Sequence, residues 1–238
     1  MLAPLKAGEL TGLSDTHLVT LADGQRLHAD AARAWTALVA DARAAGFDLA
    51  IVSSFRSCAR QVAIWNGKVR GERAVHDDTG MPVDISALPD TGKVLAILRF
   101  SALPGTSRHH WGTDLDVYDA AAVPQDYNVQ LSPAEVAPGG VFDALHVWLD
   151  ARMAAGESHG FYRPYDRDRG GVAPERWHLS YAPVARECAG LLDAAELVSC
   201  WDGSHCEEPL LLKETVEALL PELLERYVAV PANWCEPG

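Results

Sequence analysis

The sequence predicts one α+β domain, and three features of the chain support that class. Ala- and Leu-rich segments with helical spacing mix with short strand-like segments, without the regular strand–helix–strand order of a parallel α/β sheet. The 238 residues are 48% hydrophobic and 22% charged, as in an ordinary soluble protein with a full core. No internal repeat divides the chain. We expect a single domain over residues 1–238, with its core at about 29–186 and a helical C-terminal extension at about 187–238.

The first half of the chain is predicted to contain one strand among helices. Residues 29–45 are Ala-rich with apolar positions at helical spacing, and Gly46 is a typical residue for ending such a helix. The apolar run at 47–52 is predicted to be a buried strand that places Arg56 just beyond its end. Further along, the sequence predicts a helix at 59–65 with Gln61 in its first turn, a loop at 76–82 and a helix at 92–100.

The second half adds two strands. Residues 114–119 alternate as a strand does, which places Asp114 and Asp116 on one face and Leu115 and Val117 on the other. A second short strand is predicted at 177–181, where it gives rigid support to the side chains that it carries. The remaining elements are predicted as an irregular insertion at 124–140, a helix at 141–155, a surface loop at 162–173 and C-terminal helices at 182–197 and 210–228.

Charge and composition exclude several classes of partner. The net charge of −13 argues against nucleic acid or an anionic membrane surface as the main partner, but a small soluble substrate can still be bound by local Arg residues. The first residues lack a basic region followed by an apolar run, and no apolar stretch reaches membrane-spanning length. We therefore expect no membrane partner and a cytoplasmic location, or a periplasmic one if a leader was removed. The sequence leaves the oligomeric state open.

The cysteines support the expected cytoplasmic location. Their number is odd and their spacing is irregular, so the sequence does not predict a disulfide framework. They are Cys58, Cys188, Cys200, Cys206 and Cys235.

Two short segments, far apart in the chain, together carry the donor groups of a metal-dependent hydrolase. The first, Ser-Arg-His-His-Trp-Gly-Thr-Asp-Leu-Asp, contains His109 and Asp116; the second, Pro-Glu-Arg-Trp-His, contains Glu175 and His178. Catalytic zinc typically takes three protein ligands of this kind and keeps the fourth position open. A carboxylate nearby can accept the proton of a water that attacks a carbonyl. Because Gly112 allows a tight turn before the strand, His109 and Asp116 can meet at one metal.

At these residues the chain resembles the LAS-type, M15-like zinc peptidases, which include VanY-like D-alanyl-D-alanine carboxypeptidases, VanX-like dipeptidases and L,D-carboxypeptidases. Their pattern is S-x-H-x-x-G-x-A-x-D followed by E-x-W-H, preceded by S-x-[YF]-R-S with a Gln five residues after the Arg. The resemblance spans about residues 49–181. The matching positions are Ser53, Phe55, Arg56, Ser57, Gln61, Ser107, His109, Gly112, Asp116, Glu175, Trp177 and His178.

The resemblance implies a hedgehog/DD-peptidase-like fold, in which helices flank a small central antiparallel sheet. It also implies that Zn²⁺ would be bound by His109, Asp116 and His178. Glu175 would be the general base. Catalysis and substrate binding would further involve Arg56, Gln61 and Ser107, which would hold the terminal carboxylate or the developing oxyanion, and Trp177, for which a core position is an equal alternative.

One position departs from the family pattern. The small residue that the family places two positions before the last ligand of the first motif is Asp114 here. Asp114 shares a strand face with Asp116, so it either competes as a ligand or orients one. We favour Asp116 as the ligand because its seven-residue step from His109 is that of the family.

The function implied is a zinc-dependent carboxypeptidase that removes a terminal D-Ala from peptidoglycan stem peptides. L,D-carboxypeptidase activity on tetrapeptides in cell-wall recycling is the leading hypothesis, because D-Ala-D-Ala cleavage in the cytoplasm would damage wall precursors. The alternatives are D,D-carboxypeptidase or dipeptidase activity of the VanY or VanX type, an endopeptidase of stem peptides, and a non-enzymatic zinc-dependent binding module. The presence of both Glu175 and Arg56 speaks against the binding module.

Other reactive residues are interpreted as structural. His76 is predicted to lie in a solvated loop, and His205 with Cys200 and Cys206 in a plain connector, since a fourth metal ligand is missing there. Cys58 has no base beside it in the sequence, which argues against a cysteine nucleophile.

Overall fold

A four-stranded antiparallel sheet lies at the centre of the molecule, and its strands follow the order β3–β4–β6–β5. The computed structural model describes residues 4–188 and 190–229. A separate two-stranded sheet pairs β1 with β2. The strands are β1 (Leu18–Thr20), β2 (Arg26–His28), β3 (Leu49–Ser53), β4 (Asp114–Asp119), β5 (Phe161–Tyr162) and β6 (His178–Tyr181). The expected α+β class, with helices around a small antiparallel sheet, is confirmed.

Nine α-helices accompany this sheet within the described residues. They are α1 (Ala7–Leu10), α2 (Ala29–Ala44), α3 (Cys58–Val69), α4 (Asp90–Leu98), α5 (Pro133–Val136), α6 (Asp143–Ala154), α7 (Ala182–Cys188), α8 (Ala194–Ser199) and α9 (Lys213–Leu223). Short 3₁₀ turns lie at Ile85–Ala87, Arg108–Trp111 and Ala120–Ala122, and a π-helical turn at Leu224–Val228 follows α9.

The alternation predicted for β4 decides which way its side chains point. Leu115 and Val117 are buried in one core cluster with Leu38 of α2 and Leu145 of α6. Burial of a side chain of this size contributes roughly 1.5–3 kcal/mol, so the register of β4 is strongly specified. The polar face of the strand is thereby turned toward the opposite side of the sheet.

A second core cluster joins α3 and α4 to the C-terminal helices. Trp65 of α3 and Ile97 of α4 are buried there with Trp201 and with Val216 of α9. The indole of Trp201 donates a hydrogen bond to the carbonyl oxygen of Pro104 at 2.9 Å. The C-terminal helices therefore share a core with the segment that leads into the first motif.

The structure differs from the sequence expectations in several places. The helix predicted at 182–197 is two helices, because the Asp193 side chain accepts hydrogen bonds from the backbone of Ala195 and Glu196 and starts α8 afresh. The helix predicted at 210–228 begins at Lys213 and changes to a π-helical turn at Leu224. The hairpin of β1 and β2 was not predicted, since three-residue strands show too little alternation.

The structure bears on two expectations, one about membrane crossing and one about disulfide bonds. Across residues 4–188 and 190–229, no helix combines the length and apolar character that a membrane crossing requires. The four described cysteines, Cys58, Cys188, Cys200 and Cys206, are free thiols. Cys235 lies outside the described residues.

Candidate active site

The first motif begins in a tight turn that is shaped by Gly112. The 3₁₀ turn Arg108–Trp111 carries His109, and Gly112 follows it with φ of 68°. A Cβ atom at this glycine would lie 2.3 Å from Leu18 Cδ2 and 2.7 Å from the backbone nitrogen of His28. Only glycine fits such a close approach at positive φ without displacing the β1–β2 hairpin. The turn therefore leads the chain directly from His109 into β4.

Sheet register then brings the two motifs together. Asp116 on β4 is the direct cross-strand partner of His178 on β6. The distance from Asp116 Oδ1 to His178 Nδ1 is 3.2 Å, and that from Asp116 Oδ2 to His109 Nε2 is 3.5 Å. All three side chains are buried, and one ligand atom from each lies within 4.8 Å of the others. Among the described residues, they form the one His/Cys/Asp/Glu group with this geometry.

Hydrogen bonds orient both imidazoles toward this common point. His109 Nδ1 donates to the carbonyl oxygen of Ser54 at 2.8 Å, so its Nε2 is left without a proton on the side of Asp116. His178 Nε2 donates to Asp114 Oδ1 at 2.9 Å, so its Nδ1 faces Asp116. Metal-binding histidines are held in this way by an acceptor on the other ring nitrogen. Two nitrogens and one carboxylate oxygen form a donor set that suits an open zinc site.

The carboxylate oxygens of Asp114 are engaged by several hydrogen-bond donors. Its oxygens accept hydrogen bonds from Arg108 Nε at 2.9 Å and from Ser180 Oγ at 2.9 Å, and also from Thr113 Oγ1. Burial alone would raise the pKa of Asp114, but Arg108 and His178 hold it well below its usual range. The geometry favours Asp114 as the residue that orients His178.

The charge of His178 is set by its two carboxylate neighbours. Burial alone would lower the pKa of this imidazole, but hydrogen bonds with Asp114 and Asp116 raise it to about 10. A metal ion that binds Nδ1 takes the place of the proton which the carboxylates otherwise favour.

Glu175 lies beside this centre, just before β6. Its Oε2 atom is 3.4 Å from His178 Nδ1, and its backbone nitrogen donates to the carbonyl oxygen of Tyr165 at 2.9 Å. Burial raises the pKa of Glu175 to about 7, with His178 opposing and Asp116 adding to the shift. A carboxylate whose pKa lies near neutrality is well matched to general-base work at neutral pH.

Arg56 is held next to the centre by neutral partners. Its Nη1 donates to Gln61 Oε1 at 2.9 Å and its Nη2 to Ser53 Oγ at 3.2 Å. Gln61, in the first turn of α3, in turn donates to the carbonyl oxygen of Ala102 at 2.7 Å. The backbone nitrogen of Arg56 donates to the carbonyl oxygen of His109 at 3.2 Å. The guanidinium is therefore positioned, while its charge remains available to an anion.

Arg56, Glu175 and the three candidate metal ligands line one cleft of about 670 Å³. Ser107 lies in its wall directly before the 3₁₀ turn and is almost fully buried. Trp177 lines the cleft and also packs with Val136 and Phe142. Its position is compatible both with a substrate-facing role and with a place in the core. Residues of the 162–173 loop form another wall, as expected for a loop above the site.

Several cleft residues were not singled out by the sequence. Among them are Lys68 on α3, Tyr165 in the loop before Glu175 and Arg226 in the C-terminal π-helical turn. A signal for Lys68 exists, because it follows Gln61 by seven residues and thus lies two helical turns further along the same side of α3. The position of Arg226 depends on how the C-terminal helices pack, which no local pattern indicates.

The remaining candidates take structural positions. His110 is buried, donates from Nδ1 to the carbonyl oxygen of Arg56 at 2.6 Å and accepts at Nε2 from the Gly105 backbone at 3.2 Å. Hydrogen bonding with Cys200, together with burial, raises the pKa of the Cys58 thiol, which makes it a poor nucleophile. His205 is exposed in the connector between α8 and α9.

Comparison with known proteins finds one family and several related folds. The sequence model of the VanY family, described as D-alanyl-D-alanine carboxypeptidase, matches residues 24–184. A Haemophilus influenzae protein described as uncharacterized is 47% identical over 98 residues, which are 40% of this chain and 67% of that protein.

Two solved structures match this chain. One is a variant of the vancomycin-resistance D,D-pentapeptidase VanY in complex with Zn(II); it is 22% identical, with a TM-score of 0.52 over 77% of this chain and 85% of that chain. The other is VanYB in complex with D-alanine-D-alanine, which is 23% identical, with a TM-score of 0.49 over 71% of this chain and 78% of that chain. The similarity to the zinc-bound variant confirms the fold that the motifs implied.

Proposed function

Because the chain belongs to the VanY family of D-alanyl-D-alanine carboxypeptidases, we propose that it is a zinc-dependent carboxypeptidase that removes a terminal D-Ala from peptidoglycan stem peptides. The observation that carries this proposal is the convergence of His109, Asp116 and His178 on one point with Glu175 beside them. The three candidate ligands come from a turn and two paired strands, so their geometry is held by rigid elements, and Glu175 lies in the loop three residues before β6.

The chain's own groups divide the chemistry between them. His109 Nε2, Asp116 and His178 Nδ1 would hold the metal ion. A zinc ion supplies Lewis acidity to the scissile carbonyl and lowers the pKa of water to about 7. Glu175, 3.4 Å from His178 Nδ1, accepts the proton of the attacking water and delivers it to the leaving amine.

Arg56 supplies positive charge beside the reacting bond. Its fork is fixed by Ser53 and Gln61, so little rotamer freedom is lost when it pairs with an anion. Such a charged hydrogen bond is worth about 1.5–3 kcal/mol. Ser107 and Trp177 complete the wall on either side of the candidate metal ligands.

For the bond that is cut, we propose the single terminal D-Ala of a tetrapeptide as the preferred leaving group. An odd number of cysteines without a disulfide framework is typical of a reducing compartment, where wall fragments arrive for recycling. There, cleavage of D-Ala-D-Ala would destroy precursors that the cell needs. The family description favours a second candidate, D,D-carboxypeptidase activity on the pentapeptide.

A competition between substrates tests the proposal. The zinc-loaded protein is given stem tetrapeptide and pentapeptide at equal concentration, and released D-Ala is measured with and without a chelator. We expect chelator-sensitive release, faster from the tetrapeptide. Preferential conversion of pentapeptide to tetrapeptide would assign D,D-carboxypeptidase activity instead. Stoichiometric zinc without turnover of either peptide would favour the binding module, and cleavage inside the peptide an endopeptidase.

A further inference from the structure

A second cation lies on the same cleft wall as Arg56. Lys68 is near the end of α3, partly buried, and its ammonium donates a hydrogen bond to Ser101 Oγ at 2.6 Å. The next residue, Ala102, is the one whose carbonyl oxygen accepts from Gln61. A continuous row of contacts thus runs along this wall from Arg56 through Gln61 and Ala102 to Ser101 and Lys68.

Among the residues that the structure describes, none forms a salt bridge with the ammonium of Lys68. Within residues 4–188 and 190–229, its one hydrogen bond is to the neutral hydroxyl of Ser101. Burial lowers the pKa of Lys68 to about 8; Glu175 opposes this shift, and Arg56 and Arg73 add to it. At neutral pH the side chain is thus a charged group that lacks a carboxylate. A cation held in a cleft without a counter-ion is unfavourable until an anion binds.

The two cations take different places along this wall. The backbone nitrogen of Arg56 donates to the carbonyl oxygen of the candidate ligand His109 at 3.2 Å, so Arg56 lies beside the reacting centre. The hydrogen bonds that connect Arg56 to Lys68 pass through Gln61, Ala102 and Ser101, so Lys68 lies further along the wall. A peptide cut next to its last residue also presents two oxygen centres in sequence, the scissile carbonyl and the terminal carboxylate. They are separated by roughly one residue, about 3.5 Å of extended chain.

We propose that Lys68 binds the free terminal carboxylate of the peptide, which leaves Arg56 to face the scissile carbonyl. This assignment rests on the proposed carboxypeptidase function. Of the two roles open to Arg56, holding the terminal carboxylate or the developing oxyanion, it selects the second. It makes Lys68 a specificity-determining residue, since a peptide that continues beyond the cleaved residue has no carboxylate at this position.

Paired substrates and paired variants test this assignment. The tetrapeptide is prepared with a free terminal carboxylate and as its terminal amide, and kcat and KM are measured for each. Lys68→Met removes the charge but keeps an unbranched side chain, and Lys68→Arg keeps the charge. Lys93→Met is the matched control, because Lys93 is paired with Asp90 on α4 and does not line the cleft. Zinc content and the thermal midpoint establish that each variant is folded.

We expect Lys68→Met to reduce kcat/KM for the free acid by about ten- to hundredfold, mainly through KM. The slower cleavage of the amide should fall no further, because the amide makes no ion pair to lose. Lys68→Arg should recover most of the activity on the acid, and Lys93→Met should behave as wild type. An equal loss on acid and amide, or a loss confined to kcat, would overturn the assignment.

The proposed function can fail separately from the role of Lys68. If the zinc-loaded wild type cleaves none of the peptides, the carboxypeptidase proposal is wrong, and calorimetric binding of the acid and amide tetrapeptides then decides the role of Lys68. The wild type should bind the acid at least tenfold more tightly than the amide, and Lys68→Met should bind both equally. Equal affinities in the wild type would refute carboxylate binding at Lys68.

Discussion

Asp114 and Asp116 face opposite nitrogens of the same imidazole, that of His178. Asp114 Oδ1 is 2.9 Å from Nε2, and Asp116 Oδ1 is 3.2 Å from Nδ1. The two carboxylates are alike in chemistry and lie on the same face of β4, but Asp114 is neutralised by Arg108 whereas Asp116 faces the candidate metal point. This arrangement favours Asp114 as the residue that orients His178 and Asp116 as the candidate metal ligand.

The first prediction separates these two carboxylates. Asp116→Ala should abolish stoichiometric zinc binding, because two imidazoles alone hold the ion poorly. Asp114→Asn should retain zinc but bind it about 10–100-fold more weakly, since the amide oxygen still accepts from Nε2 without a charge. Zinc titration with a competing chelator measures both. Loss of zinc from the Asp114 variant alone would reverse the assignment.

The second prediction concerns the general base. Glu175→Gln should keep the fold and the zinc but reduce kcat by about 10²–10⁴-fold, because an amide cannot accept the water proton. Glu157→Gln is a suitable control, since Glu157 pairs with Arg152 at the surface, away from the cleft. Turnover of the Glu175 variant within a few-fold of wild type would remove this residue from the mechanism.

The third prediction tests the turn that joins His109 to β4. Gly112→Ala should lower the free energy of unfolding by about 1–2 kcal/mol for positive φ and by about 1–3 kcal/mol more for the clash with the β1–β2 hairpin. It should also weaken zinc binding as His109 and Asp116 move apart. Gly156→Ala has a similar φ of 71° but open space around the new Cβ, so it should show the smaller loss alone. Chemical denaturation of both variants measures the difference; equal losses would contradict it.

The fourth prediction links a buried imidazole to acid stability. His146 is fully buried, and burial, together with Arg163 and Arg176, lowers its pKa to about 3. Between pH 6.5 and 3 the unfolded chain binds a proton at His146 that the folded protein excludes. Stability is therefore present above the unfolded pKa and falls as pH falls, by up to about 1.4 kcal/mol per pH unit for this group.

Replacement of the His146 imidazole should make the free energy of unfolding depend less on pH in the acid range. The free energy of unfolding of His146→Gln, measured in urea at pH 7.5, 5.5 and 4.5, should fall less steeply than that of wild type. His205→Gln, at an exposed position, should keep the wild-type slope. Identical slopes for wild type and His146→Gln would show that His146 does not contribute to acid unfolding.

Local pattern determined much of the fold and of the candidate site. The alternation in 114–119 placed Leu115 and Val117 in the core and Asp116 on the site face, because side-chain direction in a strand follows from backbone geometry over a few residues. Helices longer than two turns, such as α2 and α3, were predicted within a few residues of their ends. The spacing within each motif likewise indicated which donors belong together.

Tertiary structure alone decided how the site is completed. The pairing of β4 with β6 set Ser180 opposite Asp114 and His178 opposite Asp116, and the hydrogen bonds that Arg108 and Ser180 donate to Asp114 favour Asp116 as the candidate ligand. Arg226 reaches the cleft through the packing of the C-terminal helices in one core with α3 and α4. Such contacts join residues tens of positions apart, and their free energy comes from burial and pairing in the folded chain. Local periodicity in the sequence therefore does not predict these contacts.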